Sequence, residues 1–272
     1  MKTASDPVVE TYSRLADVYD DPANMASCWG HITQHSLGLV TVRATHKTVV
    51  DVGCGTGREL IQLASNHPPD VQFIGVEPAE NMRKIAAGRA SRYANVRVVE
   101  GRFEGLPLET HCVDYLYSVL AFHWTSDPRK SVAELARVLR PTGEMDLTFI
   151  GRHNGREFIK KTTPVFFKYM TPAMMAKAVS LRKQLTLDEA TSLFQGTFDS
   201  AGLTVSESYH TYHDTLEGHW AWWVRIEGQF VSVPPDKKAE CDQAVRAAIA
   251  TLQKATGIPY TVHLLHVRLR QG

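Results

Sequence analysis

Residues 49–60, Val-Val-Asp-Val-Gly-Cys-Gly-Thr-Gly-Arg-Glu-Leu, restrict the possible folds more than any other stretch of the chain. Val49 to Val52 is a short apolar run bounded by turn residues, the pattern of a buried strand. Gly53, Gly55 and Gly57 follow at alternate positions, and from Arg58 to Ala64 the apolar spacing becomes helical. A strand that passes into a helix through glycines lets backbone N–H groups approach a ligand closely, because no Cβ intervenes. The next strand, Val71–Val76, is followed by Glu77, whose carboxylate can accept hydrogen bonds from ribose hydroxyls. Glycine loop and acid together indicate an adenosine-containing ligand. They do not say which one, since Arg58 stands where the dinucleotide fingerprint has its third glycine.

The rest of the chain extends this pattern. Strands at 71–76, 95–100, 112–118 and 145–150 alternate with helices at 58–64, 80–89 and 129–139, which implies parallel βαβ units. A helix over His35–Val42 leads to the first strand, and Pro141-Thr142-Gly143 turns the chain before the fifth. Thr186-Leu187-Asp188-Glu189 has capping-box spacing and starts a helix carried to Gly202. Leu203–Tyr212 and Tyr260–Leu269 alternate as strands, with a helix from Asp236 to about Ala255 between them. Hydrophobic residues make up 43% of the 272, enough for a proper core, and the net charge of +1 gives no electrostatic footprint for nucleic acid or membrane. Cys28, Cys54, Cys112 and Cys241 show no C-x-x-C spacing and read as free thiols of a reducing, cytoplasmic compartment. Residues 1–20 lack the long apolar core of a signal peptide.

Five stretches resemble the class I S-adenosylmethionine-dependent methyltransferases, in the family's order. They are Val49–Gly57, Glu77–Met82, Gly101–Leu108, Asp114–Trp124 and Glu134–Glu144. The resemblance favours S-adenosylmethionine over a nicotinamide and points to the small-molecule group that includes ubiquinone- and biotin-pathway and trans-aconitate enzymes. It implies an α/β fold with a doubly wound, seven-stranded, mostly parallel sheet whose last strand is antiparallel. Residues 1–272 would form a single domain capped by segments at about 1–36, 151–185 and 213–256.

By the same resemblance Gly53, Gly55 and Gly57, with Asp51, Cys54 and Thr56, would cradle the amino-acid part of the cofactor, and Glu77 the ribose. Pro78, Met82, Phe103 and Glu104 would surround the adenine, Ser118 would border the methionine end, and Tyr19 would cover the cofactor. Arg102 departs from the family, where an Asp often accepts the adenine amine; arginine has donors only, so Glu104 or a backbone carbonyl would serve instead.

His123, after the fourth strand, is the candidate general base, with anchoring of a local loop as its other reading. Tyr12, Trp124, Phe167, Met170, His219, Trp222 and Trp223 are candidate substrate contacts in a closed pocket for a flat or greasy molecule. The same aromatics would equally serve to pack the caps onto the core. His210 and His213 fall on opposite faces of a strand, so no metal is expected. The expected activity is methylation of a small, largely apolar or aromatic molecule at oxygen or carbon. A small-molecule carboxyl methyltransferase needing no base, and a cofactor-binding protein that has lost transfer, remain open, as does pairing of the chain with a second copy.

Overall fold

The structure is a computed structural model; it describes residues 6–199, 201–225, 228 and 233–270. Residues 1–5 of the first expected cap segment and 226–227 and 229–232 of the third lie outside the described residues.

β1 (Thr48–Val52), β2 (Gln72–Val76), β3 (Val96–Val99), β4 (Val113–Val119), β5 (Leu139–Ile150), β6 (Leu203–Asp214) and β7 (Ile258–Leu269) form one seven-stranded sheet in the order β3-β2-β1-β4-β5-β7-β6. Pairing is parallel from β3 through β5, and β7 runs antiparallel to both β5 and β6. Val49, Val50, Asp51 and Val52 are all buried, because helices cover both faces of the parallel half. The expected turn at Pro141–Gly143 lies inside β5: the register jumps from Val113↔Leu139 to Tyr115↔Glu144, so these residues bulge out of the ladder.

Ahead of β1 lie α1 (Pro7–Tyr19), α2 (Pro22–Met25) and α3 (Cys28–Leu37). Asp6 caps α1, with Pro7 at its first position. The helix expected over His35–Val42 is instead α3, started by the Ser27 side chain on the Trp29 N–H at 3.2 Å and ended at Gly38. Between the strands run α4 (Arg58–Ala64), α5 (Glu80–Ala90) and α6 (Pro128–Val138). Then come α7 (Arg156–Tyr169), α8 (Pro172–Ser180), α9 (Leu187–Gln195), α10 (Leu216–Arg225) and α11 (Lys238–Ala250). α9 carries the expected capping box but stops at Gly196, short of Gly202.

Two of the apolar cores bear on the site. One lies between the sheet, α6 and α9, around Leu116, Phe122, Val132, Leu147, Phe149 and Phe194. The other joins α3, α7, α10 and α11 to the far end of β7, around Ile32, Phe158, Trp222, Val245, Ile249 and Tyr260. The second core takes in Trp222 and Trp223, two of the candidate substrate contacts.

Candidate active site

After β1 the chain steps outward to β2 and β3, then returns to place β4 on the other side of β1. At such a switch point the loops leaving two neighbouring strands diverge and open a crevice at their carboxyl ends. Here two cavities meet. Tyr12, Tyr19, Gly53, Gly55, Val119, Leu120 and Trp124 line both. Leu120 holds φ at +56°, a left-handed conformation that costs a non-glycine residue energy and puts its backbone on the shared wall.

The glycine loop forms the floor. Gly53, Gly55 and Gly57 have φ of +80°, +55° and +75°. A Cβ on Gly53 would sit 2.4 Å from the Ala121 Cβ, so only glycine lets β1 and the β4 loop close together. A Cβ on Gly55 meets nothing within 4 Å, and Gly55 borders both cavities, so a side chain there would fill space open to a ligand. Gly57 serves otherwise: it lines neither cavity, and a Cβ would strike Ala86 of α5 at 2.9 Å. The N–H groups of Gly53 and Cys54 donate to the Val76 carbonyl (2.8 and 3.2 Å), and that of Gly55 donates to Glu77 (2.9 Å). The loop therefore offers close approach rather than three free donors.

Glu77 joins this loop to α5. Its Oε2 accepts from Gly55 and its Oε1 from the Ala79 N–H at 2.8 Å. Burial pushes its pKa up, while these two donors pull the other way. Each carboxylate oxygen keeps a second lone pair for hydroxyl donors. With Glu77 the first cavity is lined by Val8, Val9, Pro78, Met82 and Phe103, and by the charged Asp6, Arg102 and Glu104. Glu104 Oε1 takes the Thr125 hydroxyl (2.6 Å) and the N–H groups of Ser126 (2.5 Å) and Asp127 (3.2 Å). Burial opposes its ionisation, but the Thr125 and Ser126 donors prevail and hold the carboxyl below the usual range. Its work is to fix the turn into α6.

The second cavity is more polar. Asp51, Cys54, Thr56, Asn24 and Glu59 surround its loop end, and Trp29, Thr33, His123, Trp124, Asn154, Arg182 and Gln184 its other end. His123 lies in a short 3-10 turn, Phe122–Trp124, and is 5% exposed. The Ile150 N–H points at its Nδ1 from 3.5 Å, and its carbonyl accepts from the Lys183 N–H at 2.8 Å, which ties the 182–184 stretch across the cavity. Burial, aided by the Arg182 charge, pushes its pKa down to about 3. The imidazole is therefore neutral at physiological pH and a poor base. The Arg182 guanidinium lies 5.0 Å from the Trp124 ring centre. The Trp29 indole nitrogen is buried without a hydrogen-bond partner.

Several expected contacts lie elsewhere. Ser118 is buried with its hydroxyl donating to the Val52 carbonyl at 2.7 Å, a clasp between β4 and β1. Phe167 is 62% exposed, Met170 is buried, and neither lines either of these two cavities. His219 is buried against the Ile258 carbonyl at 2.8 Å, and Trp222 and Trp223 belong to the second core. Of that aromatic cluster Trp29 is the member that reaches the site. Trp29, Asn154, Arg182 and Gln184 escaped sequence reading. For Asn154 a signal existed, its place just beyond the carboxyl end of β5.

Comparison with known proteins bears on this geometry. Residues 50–145 match a family described as a methyltransferase domain. This stretch is a methyltransferase domain. The chain is 31% identical over 138 residues to malonyl-acyl-carrier-protein O-methyltransferase of Hahella chejuensis, covering 51% of this chain and 47% of that one. It thus spans about half the length of that relative. It is 24% identical over 199 residues to demethylmenaquinone methyltransferase of Listeria monocytogenes, covering 72% and 84%. Phosphoethanolamine N-methyltransferase 2 of Haemonchus contortus, solved with S-adenosyl-L-methionine, superposes with a TM-score of 0.58 at 15% identity, covering 100% of this chain and 58% of that one. That likeness is one of fold. No described helix is long and apolar enough to cross a membrane.

Proposed function

We propose that the chain methylates a carboxylate oxygen of a small molecule, using S-adenosylmethionine. When bound, that cofactor supplies an electrophilic methyl on a sulfonium whose departure leaves a neutral thioether. The residues present suit it. Gly55 leaves room at the loop, Glu77 offers acceptors to ribose hydroxyls, and Met82 and Phe103 offer apolar faces to a purine. The buried, unbonded Asn24 Oδ1 and the Thr56 hydroxyl stand at the amino-acid end.

The observation that carries the choice of acceptor is the donor set opposite the loop. Arg182 and the unbonded Trp29 indole N–H border a cavity whose histidine is held neutral by burial, with its pKa lowered to about 3. A carboxylate is already ionised at neutral pH, so no proton has to be removed. The guanidinium and indole N–H hold it, and Trp29 and Trp124 flank an apolar body. An O-methyltransferase among the relatives supports oxygen as the target. A second reading keeps His123 as base toward a phenol or enol, since it lines the same cavity.

The test offers small carboxylic acids and phenols with methyl-labelled cofactor. Base-labile methyl esters are expected, with a rate flat from pH 6 to 9 and a KM at least tenfold higher in Arg182→Ala. Methylation of phenols alone, with an acid limb that vanishes in His123→Ala, supports the second reading instead.

A further inference from the structure

We propose that the cap helices α7 and α8 form a docking face for an anionic lipid surface, to which the chain binds peripherally. The overall charge of +1 conceals a segregation. Residues 151–185 hold eight of the 30 basic residues and one of the 29 acids, Glu157, so this stretch carries +7 and the rest of the chain −6. Glu157 is partly buried and spent on the Thr261 hydroxyl at 2.5 Å. Arg156, Lys160, Lys161, Lys168 and Lys177 are exposed and make no ion pair among the described residues. Arg156, Lys160, Pro164 and Lys168 recur every fourth residue and form one row along α7. The neighbouring row, Ile159, Thr163 and Phe167, leaves Ile159 52% and Phe167 62% exposed. On the other side of α7, Phe158 enters the second core and Tyr169 donates to Glu240 of α11 at 3.0 Å.

α8 decides which anionic partner fits. Six of its nine residues, Ala173, Met174, Met175, Ala176, Ala178 and Val179, are apolar, none of its residues is buried, and Val179 is 72% exposed. At about 100° per residue these six lie all round the helix rather than on one stripe. A folded acidic protein covers one stripe; an acyl layer receives a helix that is apolar on every side left open by its neighbour. Lys177 falls between Ala173 and Met174 on that ring, where its stem can lie along the apolar phase with its ammonium at headgroup level. A nucleic-acid backbone would match the lysines and leave Ile159, Phe167 and Val179 without partners. A second copy paired about a two-fold axis would set this basic face against itself. The stretch that carries the face also lends Asn154, Arg182 and Gln184 to the second cavity, so the docked element is part of the acceptor site's own wall.

The experiment is flotation of the full chain with vesicles of phosphatidylcholine alone and of phosphatidylcholine with phosphatidylglycerol, and a parallel titration with soluble polyglutamate. Each basic side chain near an anionic surface is worth about fivefold in binding, so the anionic vesicles are expected to be preferred by roughly fiftyfold or more. Lys160→Glu, Lys168→Glu and Lys177→Glu together should abolish the preference. Phe167→Asn with Val179→Asn keeps every charge and should still weaken vesicle binding at least about fivefold, because apolar area no longer enters the layer. All five positions are exposed and line neither cavity, so thermal melting should show each variant folded like the wild type. Equal binding to neutral and anionic vesicles, or binding unchanged in both variants, overturns the proposal. Capture by polyglutamate as tight as by anionic vesicles, with the Phe167 and Val179 variant binding vesicles like the wild type, would make the partner an acidic protein and overturns it too.

Discussion

His123 shows how far burial reshapes a side chain whose type alone suggests catalysis. Its pKa, ordinarily 6.5, drops to about 3 because the charged form has no water around it. In the unfolded chain the same imidazole protonates near 6.5. Between those values the unfolded state binds the proton and the native state does not, so stability falls as pH drops from 6.5 toward 3. His46, His210, His219 and His263 are shifted the same way, each chiefly by burial, and add to the acid sensitivity. Urea unfolding at pH 7 and pH 4 should show His123→Gln losing about 3 kcal/mol less than the wild type over that interval. Equal losses would mean that His123 is not buried neutral. Gly53, Gly55 and Glu77 could be placed at the crevice from sequence because glycines after one strand and an acid after the next fix their positions, whereas Met82 and Phe103 were placed there by the family resemblance. Trp222 and Trp223 take the packing role that the sequence also allowed, because an aromatic residue advertises burial without saying which core takes it.

At the scale of elements, α1 matters most to the site. Its far end is clamped by Asp20, whose Oδ2 accepts from the Thr56 hydroxyl and from Arg89 Nη1, each at 2.7 Å. Arg89 also donates to the Thr56 carbonyl at 2.9 Å, so helix end, glycine loop and α5 share one knot. Val18 is 41% exposed, and the packing is done by Val9, Tyr12, Ala16 and Tyr19 against Met82 and Ala79. Asp20→Ala should destabilise the fold by about 1–3 kcal/mol. It should also raise amide exchange over residues 7–19 and weaken S-adenosylhomocysteine severalfold. Unchanged exchange in that helix would show that packing alone holds it. Strand and helix types were readable from periodicity, but boundaries were not. α3 begins where Ser27 caps it, seven residues before the apolar pattern suggested, and β5 swallows the Pro141–Gly143 bulge.

Across the whole molecule, sheet order sets function by putting the β1 and β4 loops side by side at the switch point. The alternation of strands and helices was legible from periodicity and read as parallel βαβ units, while the antiparallel last strand was implied by the family resemblance. The fate of the caps was not. Local sequence says that α7, α10 and α11 are amphipathic; that they close on α3 and β7 depends on contacts between residues far apart in the chain. What crosses the site is instead the 182–184 stretch, held by the His123 carbonyl. The central claim is that the crevice between β1 and β4 takes a sulfonium nucleoside. Calorimetric titration with S-adenosylhomocysteine tests it most directly. One-to-one saturable heat is predicted for the wild type, at least tenfold weaker binding for Glu77→Ala, and none for Gly55→Val. A wild type that gives no heat, or variants that bind as it does, would contradict the account.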